Sequence, residues 1–409
     1  MTAEFAGYLR GTPGYRRVIA ALACAGVVTF AQLYSPQGVL PLIAADLGIS
    51  ASDAGLTISA ATAGLALSVV VWSFVADRFG RVRTMRAAVV LATVLGIAVA
   101  LTPDYGVLLT LRVLEGVALG GVPALAIAYL NEEVHPFHAA LAAGTYVAGT
   151  TVGGLLGRIV AGPVGEWLGW RTGMLTVSVL AALAAAGFIL LAPRPRGYVA
   201  VRRRDRADGA HTGIGLLLLH VRDPRMLAVF AQGMLLMGGF VAIYNYLGFR
   251  LEGPPWHLPH AVISAIFVAY LAGTVSSPAA GRLAGRWGRR PVLLGSTTVM
   301  IAGVLLTLTP WLPVILAGVL VLTAGFFGAH TIASGWAGAR ASTGRAQATS
   351  LYNLAYYVGS SLFGWFGGVL FGWWGWPGTA LLVVALAVLA AALAVLALPR
   401  ADAAPATGG

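Results

Sequence analysis

Long apolar runs alternate with short polar breaks along nearly the whole chain. A helix that crosses the hydrocarbon core of a bilayer needs roughly 20 mostly apolar residues. Twelve stretches meet or approach that length: residues 18–44, 55–75, 87–101, 107–129, 139–160, 173–191, 226–247, 261–278, 292–308, 312–332, 348–370 and 378–398. The pattern predicts an all-α membrane protein of twelve transmembrane helices, and an even number places both termini on one side. The first run is too long for the core of a cleavable signal and lacks a small-residue cleavage site, so it reads as the first span. The longest break, 193–222, is rich in Arg, Gly and Asp. It divides the chain into an N-terminal six-helix bundle (1–192), a central loop (193–222) and a C-terminal six-helix bundle with a short tail (223–409).

The arginines orient this plan. Arg171 and Arg250 fall on one side, and Arg112 and Arg158 lie within spans. Every other arginine falls on the side of the termini, including the Arg202-Arg203-Arg204 run of the central loop and Arg400. Basic residues accumulate in cytoplasmic loops, so both termini and the central loop are expected in the cytoplasm. The Arg202–Arg204 run reads as a solvated segment near anionic headgroups.

The two halves repeat. Ala76-Asp77-Arg78-Phe79-Gly80-Arg81 after the second span matches Ala284-Gly285-Arg286-Trp287-Gly288-Arg289 after the eighth. Tyr146 and Gly149 recur as Tyr356 and Gly359, and Gly169-Trp170 recurs as Gly375-Trp376. Three matches in order at nearly constant offset mark an internal duplication. Duplicated halves are the sequence mark of alternating-access carriers, whose substrate site lies where the halves meet.

Composition narrows the function. Of 409 residues, 58% are hydrophobic and 10% charged, against about a quarter charged in a soluble domain. The net charge of +12 lies in clusters between apolar runs rather than on one exposed face, which argues against a nucleic-acid partner. Lysine is absent, so neither a Walker A loop nor a Schiff base is available. Cys24 is the single cysteine, and no intrachain disulfide or cysteine metal cluster can form. His135 and His138, near Glu132 and Glu133, lack the rigid frame a metal site requires, so no metal and no cofactor is expected. No acid–base or metal constellation of an enzyme appears, nor an appended sensor domain.

At these motifs the chain resembles the major facilitator superfamily, over essentially its whole length. The family's loop motif, roughly G-x-L-A-D-R-x-G-R, stands as Ser73-Phe74-Val75-Ala76-Asp77-Arg78-Phe79-Gly80-Arg81, with Ser73 replacing the leading glycine. The fourth-span motif R-x-x-Q-G stands as Arg112-Val113-Leu114-Glu115-Gly116, and the fifth-span antiporter motif stands as Gly149-Thr150-Thr151-Val152-Gly153-Gly154 without its proline. More narrowly, Gly120-Gly121-Val122-Pro123-Ala124, Asn131-Glu132-Glu133, Tyr244-Asn245-Tyr246 and the stretch from Phe326 to His330 are similar to YnfM-type bacterial efflux carriers, a group akin to drug–proton antiporters. The resemblance implies a twelve-helix carrier of a bacterial inner or plasma membrane that exports a small molecule, such as a drug or metabolite, against protons. An uptake symporter, or an anion carrier using Arg112 and Arg158, is the alternative. The partners implied are the substrate and the bilayer, for a functional monomer.

Individual residues sharpen these expectations. Glu115 is the carboxylate deep inside a predicted span, and Arg112 lies one turn away on the same face. Ionisable groups in a bilayer usually mark an ion or substrate path, so the pair is a candidate for proton coupling; a permanent structural pair is the other reading. Arg158 either snorkels, pairs with Glu115 or attracts an anion. A carboxylate at the end of the second span can face a helix N-terminus. The resemblance makes Asp77, Arg78, Gly80 and Arg81 a cytoplasmic gate toward the eleventh span, with Glu132 and Glu133 as partners of Arg78 or Arg81. Arg286 and Arg289 form the second copy, weakened by Gly285. Gly116, Gly120, Gly149, Gly153, Gly154 and Gly157 allow close helix packing or a hinge. Thr29, Gln32, Tyr34, Gln37, Arg158, Gln232, Asn245, Tyr270, His330, Asn353 and Tyr356 are candidates to line a cavity for a neutral or amphipathic substrate, although each can instead bond a neighbouring helix. His330 can relay protons or serve only as such a bond.

Overall fold

Inside a bilayer no water is available to backbone N–H and C=O groups, so a spanning segment must satisfy them within itself, and helix is the local solution. The computed structural model describes residues 5–197 and 213–399 and is helical nearly throughout. The N-terminal part contains α1 (Pro13–Tyr34), α2 (Leu40–Leu47), α3 (Ala51–Phe79), α4 (Arg81–Leu101), α5 (Tyr105–Leu119), α6 (Pro123–Glu133), α7 (Pro136–Leu168) and α8 (Trp170–Leu191). The C-terminal part contains α9 (Gly213–Val221), α10 (Pro224–Glu252), α11 (His260–Ala265), α12 (Ala272–Trp287), α13 (Arg289–Leu306), α14 (Leu312–Arg340) and α15 (Arg345–Ala397). Arg202–Arg204 and Arg400 lie outside the described residues.

Among the described residues ten helical segments are long and apolar enough to span, and the bent α3 makes an eleventh. One of the ten, Gln347–Ala397, contains two helices, because Gly375 at its middle has φ 61 and ψ −154 and breaks the helical path. Each of the twelve expected runs thereby falls largely on helix among the described residues. Three differ in detail, one of them the eighth, which is α11, a 3₁₀ stretch at Ile266–Leu271 and α12. The first expected run, 18–44, is α1 followed by a 3₁₀ turn at Ser35–Gly38 and the short α2. The fourth is interrupted between α5 and α6, where Gly120, Gly121 and Val122 form a turn ahead of Pro123. The central loop contains the unanticipated α9, whose His220 Nε2 lies 3.1 Å from the Gly344 carbonyl.

Sequence also sets the helix ends. Proline opens α1, α6, α7 and α10, where its missing N–H costs no bond. Asp104 accepts from Val107 N at 2.7 Å, and Asp223 from Arg225 N at 2.8 Å. The repeated glycines Gly80 and Gly288 have φ 88 and 85, and Gly169 and Gly375 have φ 85 and 61. A left-handed turn between consecutive spans is the backbone demand that both halves meet with glycine.

The chain forms two compact units. One comprises Met1–Ile49, Leu56–Asp208 and Leu258–Phe267; the other comprises Ser50–Gly55, Gly209–His257 and Val268–Gly409. Two short segments therefore belong to the unit opposite their place in sequence. Leu258–Phe267 is tied into the first unit by Glu166, whose carboxylate accepts from Ala261 N at 2.8 Å. Exposed faces are apolar: Leu67 is 74% exposed, Leu183 66%, Leu396 82%. Such faces suit lipid contact and would be a liability in water.

Candidate transport site

In the first unit α5 presents Arg112 and Glu115 inward, and both are almost fully buried. Arg112 Nη1 lies 2.6 Å from Glu115 Oε2. The rest of the guanidinium is bound to backbone: Nε donates to Thr57 O at 2.8 Å, Nη1 to Gln32 O at 3.2 Å and Nη2 to Leu33 O at 2.7 Å. One cation thus ties α5 to α1 and α3. On the other side of the carboxylate, a Cβ at Gly96 would lie 3.1 Å from Glu115 Oε1 and 3.2 Å from both Gln32 Oε1 and Ser178 Oγ. The glycine leaves room for these polar atoms to gather. The Gln32 side-chain amide is buried, and neither its nitrogen nor its oxygen has a hydrogen-bond partner among the described residues. Such an orphan is rare in a folded protein, and here it stands beside the buried carboxylate.

Arg158 neither snorkels outward nor pairs with Glu115. It is buried, donating from Nε to Gln37 Oε1 and from Nη1 to Gly154 O, both at 2.6 Å. Its guanidinium lies 4.4 Å from the Tyr34 ring centroid and 5.1 Å from that of Phe267, within cation–π range. Tyr34 and Gln37 therefore join Arg158 in one cluster, while Gln32 joins the Glu115 cluster. The Thr29 hydroxyl bonds Ala25 O of its own helix at 2.9 Å.

Of the glycines expected to pack or to hinge, five sit close against a neighbouring helix. A Cβ at Gly149 would come 2.9 Å from Ala23 Cα, and one at Gly153 2.6 Å from Val27 Cα. One at Gly157 would strike Ala31 O, so α7 rides on α1 at every fourth residue. Gly116 and Gly120 meet Ala61 O and Ser68 of α3 in the same way, and Gly154 faces the Arg158 guanidinium.

At the other end of the first unit Arg81 bridges two carboxylates, Asp77 at 2.9 Å and Glu132 at 3.0 Å. Arg78 is exposed and lies over the Phe79 ring instead. Glu133 pairs with neither arginine. Its buried Oε1 accepts from Arg196 N at 2.7 Å and Gly197 N at 2.9 Å. Nearby, Tyr8 N donates to Glu133 O and His135 N to Tyr8 O. Glu133 thereby pins the start of the central loop where the N-terminal segment also docks. In the second copy Arg286 is exposed and Arg289 half-buried. A Cβ at Gly285 would meet nothing within 4 Å.

In the second unit Gln232 Nε2 donates to Ala390 O at 2.9 Å, a tie between α10 and α15, and Asn245 Nδ2 reaches Gly364 O at 3.5 Å. Asn353 is exposed. Tyr270, His330 and Tyr356 belong to a ring cluster built on Phe240 and Phe326, which stack with centroids 3.9 Å apart. Phe326 in turn stacks on His330 at 5.8 Å, and Tyr270 lies 5.2 Å from Phe240 and 5.9 Å from Phe327. Tyr356 lies 5.0 Å from His330, whose Nδ1 is 2.9 Å from the Tyr352 hydroxyl. Phe240, Tyr244, Phe326 and Tyr352 were not foreseen as site residues. The i, i+4 spacing of Phe326 and His330 was the available signal, since it puts both on one face of α14.

The Major Facilitator Superfamily model matches residues 22–256 and 251–408. The inner membrane transport protein YnfM of Escherichia coli (strain K12) is 38% identical over 93% of this chain and 90% of its own length. The chloramphenicol efflux pump Rv0191 of Mycobacterium tuberculosis is 27% identical over 72% of this chain and 70% of its own. Among solved structures, that of a mutant of the nucleoside transporter NupG superimposes with a TM-score of 0.75 at 15% identity, covering 93% of this chain and all of that one.

Proposed function

We propose that this chain, which belongs to the Major Facilitator Superfamily, exports a small neutral or amphipathic molecule in exchange for protons. That it is a multi-pass membrane transporter and not an enzyme follows from the family. Export, proton coupling and the residues that perform them are our reading. In it the chain works as a monomer by alternating access of two six-helix bundles, with both termini cytoplasmic.

The observation that carries the reading is Glu115, a carboxylate sealed inside a spanning helix with one oxygen on Arg112 and the other beside Gly96, where Gln32 and Ser178 also converge. A carrier uses a proton gradient only if some group binds the proton with different affinity in its two states. Glu115 meets that requirement if the distance to Arg112, or access to water, changes between states, because each favours a different protonation of a buried carboxylate. Gln32, with open hydrogen-bonding capacity beside it, is the adjacent contact for substrate. The aromatic surface of the second unit, with Tyr270, Phe327 and Tyr356 partly exposed, supplies apolar recognition. Export is favoured over anion uptake because Arg112 and Arg158 are already engaged by protein acceptors, and because a relative is named as an efflux pump. Chloramphenicol is accordingly the first compound to test.

The test is solute flux in proteoliposomes with and without an imposed pH gradient, begun with chloramphenicol and extended across a chemical library. Glu115→Gln preserves shape and removes the titration. Gradient-driven accumulation should vanish while gradient-free exchange survives. Wild-type accumulation in Glu115→Gln would exclude the assignment, and His330→Gln would be tested next.

A further inference from the structure

Between Glu252 and Asp402 the chain contains no acidic residue. Within that stretch Arg282, Arg286, Arg289 and Arg290 gather around the Gly288 turn that joins α12 to α13. The corresponding turn of the first half is internally neutralised by Asp77 and Glu132 on Arg81, but here Gly285 stands where Asp77 stands there. Arg282 and Arg286 are exposed and form no ion pair among the described residues. Arg282 Nε reaches only the Pro278 carbonyl, at 3.4 Å, and Arg290 Nη2 donates to Val395 O at 2.6 Å.

Beside this turn lies a cavity of about 350 Å³ between α12, α13 and α14. Its walls include Leu283 and Trp287 of α12, Pro291 and Val299 of α13, and Ala324 of α14, with hydroxyls only from Ser276 and Ser296. The cavity opens on an apolar face, where Val275 is 72% exposed and Trp287 66%. Gly295 lines it, and a Cβ there would meet nothing within 4 Å. Its volume is in the range of small-ligand sites, about 300–1,000 Å³. Helical spacing places Arg282 and Arg286 on the flank of the lining residues Ala279, Leu283 and Trp287, so the carbon-lined slot ends against a cationic turn.

A slot of carbon walls, a tryptophan at its end and guanidiniums without carboxylates match one molecule in both parts. We propose that the cavity between α12, α13 and α14 binds an anionic phospholipid, with an acyl chain along Leu283, Trp287 and Val299 and the phosphate on Arg282 and Arg286. Charge complementarity selects the headgroup, because among the described residues no carboxylate pairs with Arg282 or Arg286. Each basic residue at a membrane surface adds attraction equivalent to about fivefold in affinity for an anionic lipid.

The experiment is native mass spectrometry of the full chain in detergent, titrated with dioleoyl phosphatidylglycerol or with dioleoyl phosphatidylcholine. The wild type should retain phosphatidylglycerol preferentially. Arg282→Gln with Arg286→Gln should weaken it about 25-fold, toward the level of phosphatidylcholine. Gly285→Asp, which has open space for the new side chain, should cause the same selective loss without removing an arginine. Gly295→Leu should fill the slot and weaken both lipids. Millimolar inorganic phosphate should not displace the lipid, because it lacks the acyl chain. Unchanged phosphatidylglycerol retention in both charge variants, or full displacement by phosphate, would overturn the proposal.

Discussion

Replacing Arg112 by Met should destabilise the first unit more than any other single change at the candidate transport site, and most of that loss should be recovered by also replacing Glu115. Met removes four hydrogen bonds at once, to Glu115 Oε2 and to the carbonyls of Thr57, Gln32 and Leu33. The Gln32 carbonyl keeps Ser35 N and Ser35 Oγ as donors, whereas Leu33 O lies in the last turn of α1, where carbonyls lack intrahelical partners, so the separate losses do not simply add. The dominant cost is a carboxylate left buried without its cation, about 3–5 kcal/mol. A unit of this size loses roughly 2–4 °C of melting midpoint per kcal/mol, so Arg112→Met should melt about 6–20 °C below wild type. Arg112→Met combined with Glu115→Met deletes both charges and keeps the volume filled, a change that is often neutral. The double variant should therefore recover all but about 1–2 kcal/mol, and the cycle, closed with Glu115→Met, should report a coupling of at least about 3 kcal/mol. The assay follows the fraction of monodisperse protein in detergent after heating at one fixed rate. Additive losses in the double variant would refute the coupling, and a wild-type midpoint for Arg112→Met would refute the burial cost itself.

Two further predictions use contacts outside the transport site. Glu133→Ala removes the acceptor of Arg196 N and Gly197 N, a loss of about 1–3 kcal/mol; trypsin should cut the Arg196–Gly197 bond at least severalfold faster, and an unchanged rate of nicking would show that the carboxylate does not hold the segment. Asp46 accepts from Trp170 Nε1 at 2.9 Å and from Arg171 Nη1 at 2.5 Å, and these bonds, Trp170 first, hold its carboxyl below the usual range. A depressed carboxyl stabilises the fold above the unfolded value near 4 and loses that contribution as pH falls through the folded value. Since the pair is half exposed, the effect is below about 1 kcal/mol. Asp46→Asn should melt slightly below wild type at neutral pH, and the gap should close as pH falls below the usual carboxylate range; a gap that widens on acidification would contradict the sign.

The twelve spans were legible in the sequence because lipid removes the competition of water. Once a segment is apolar and long enough, helix is the local way to satisfy its backbone, and distant contacts are not needed to decide it. The same locality made Gly80 and Gly288 readable as one repeated turn: a positive φ is a demand of the backbone at that position alone. Periodicity also placed Arg112 and Glu115 on one face, and the four-residue spacing of Gly149, Gly153 and Gly157 foretold a close approach. It could not say that the approach was to Ala23, Val27 and Ala31.

Partners were the business of tertiary structure. Glu132 and Glu133 are neighbours in sequence, yet one meets Arg81 and the other the backbone of Arg196 and Gly197. Snorkelling and pairing with Glu115 were both open to Arg158 by sequence, yet its guanidinium lies between Gln37 and two rings. Gln232 ties α10 to α15, and Thr29 closes on its own helix, although both are polar residues in apolar spans. Spacing along a helix fixes the direction in which a side chain leaves the axis. Which acceptor a long, flexible side chain reaches depends on how neighbouring helices are offset and rotated, and that is decided by the packing of whole helix faces.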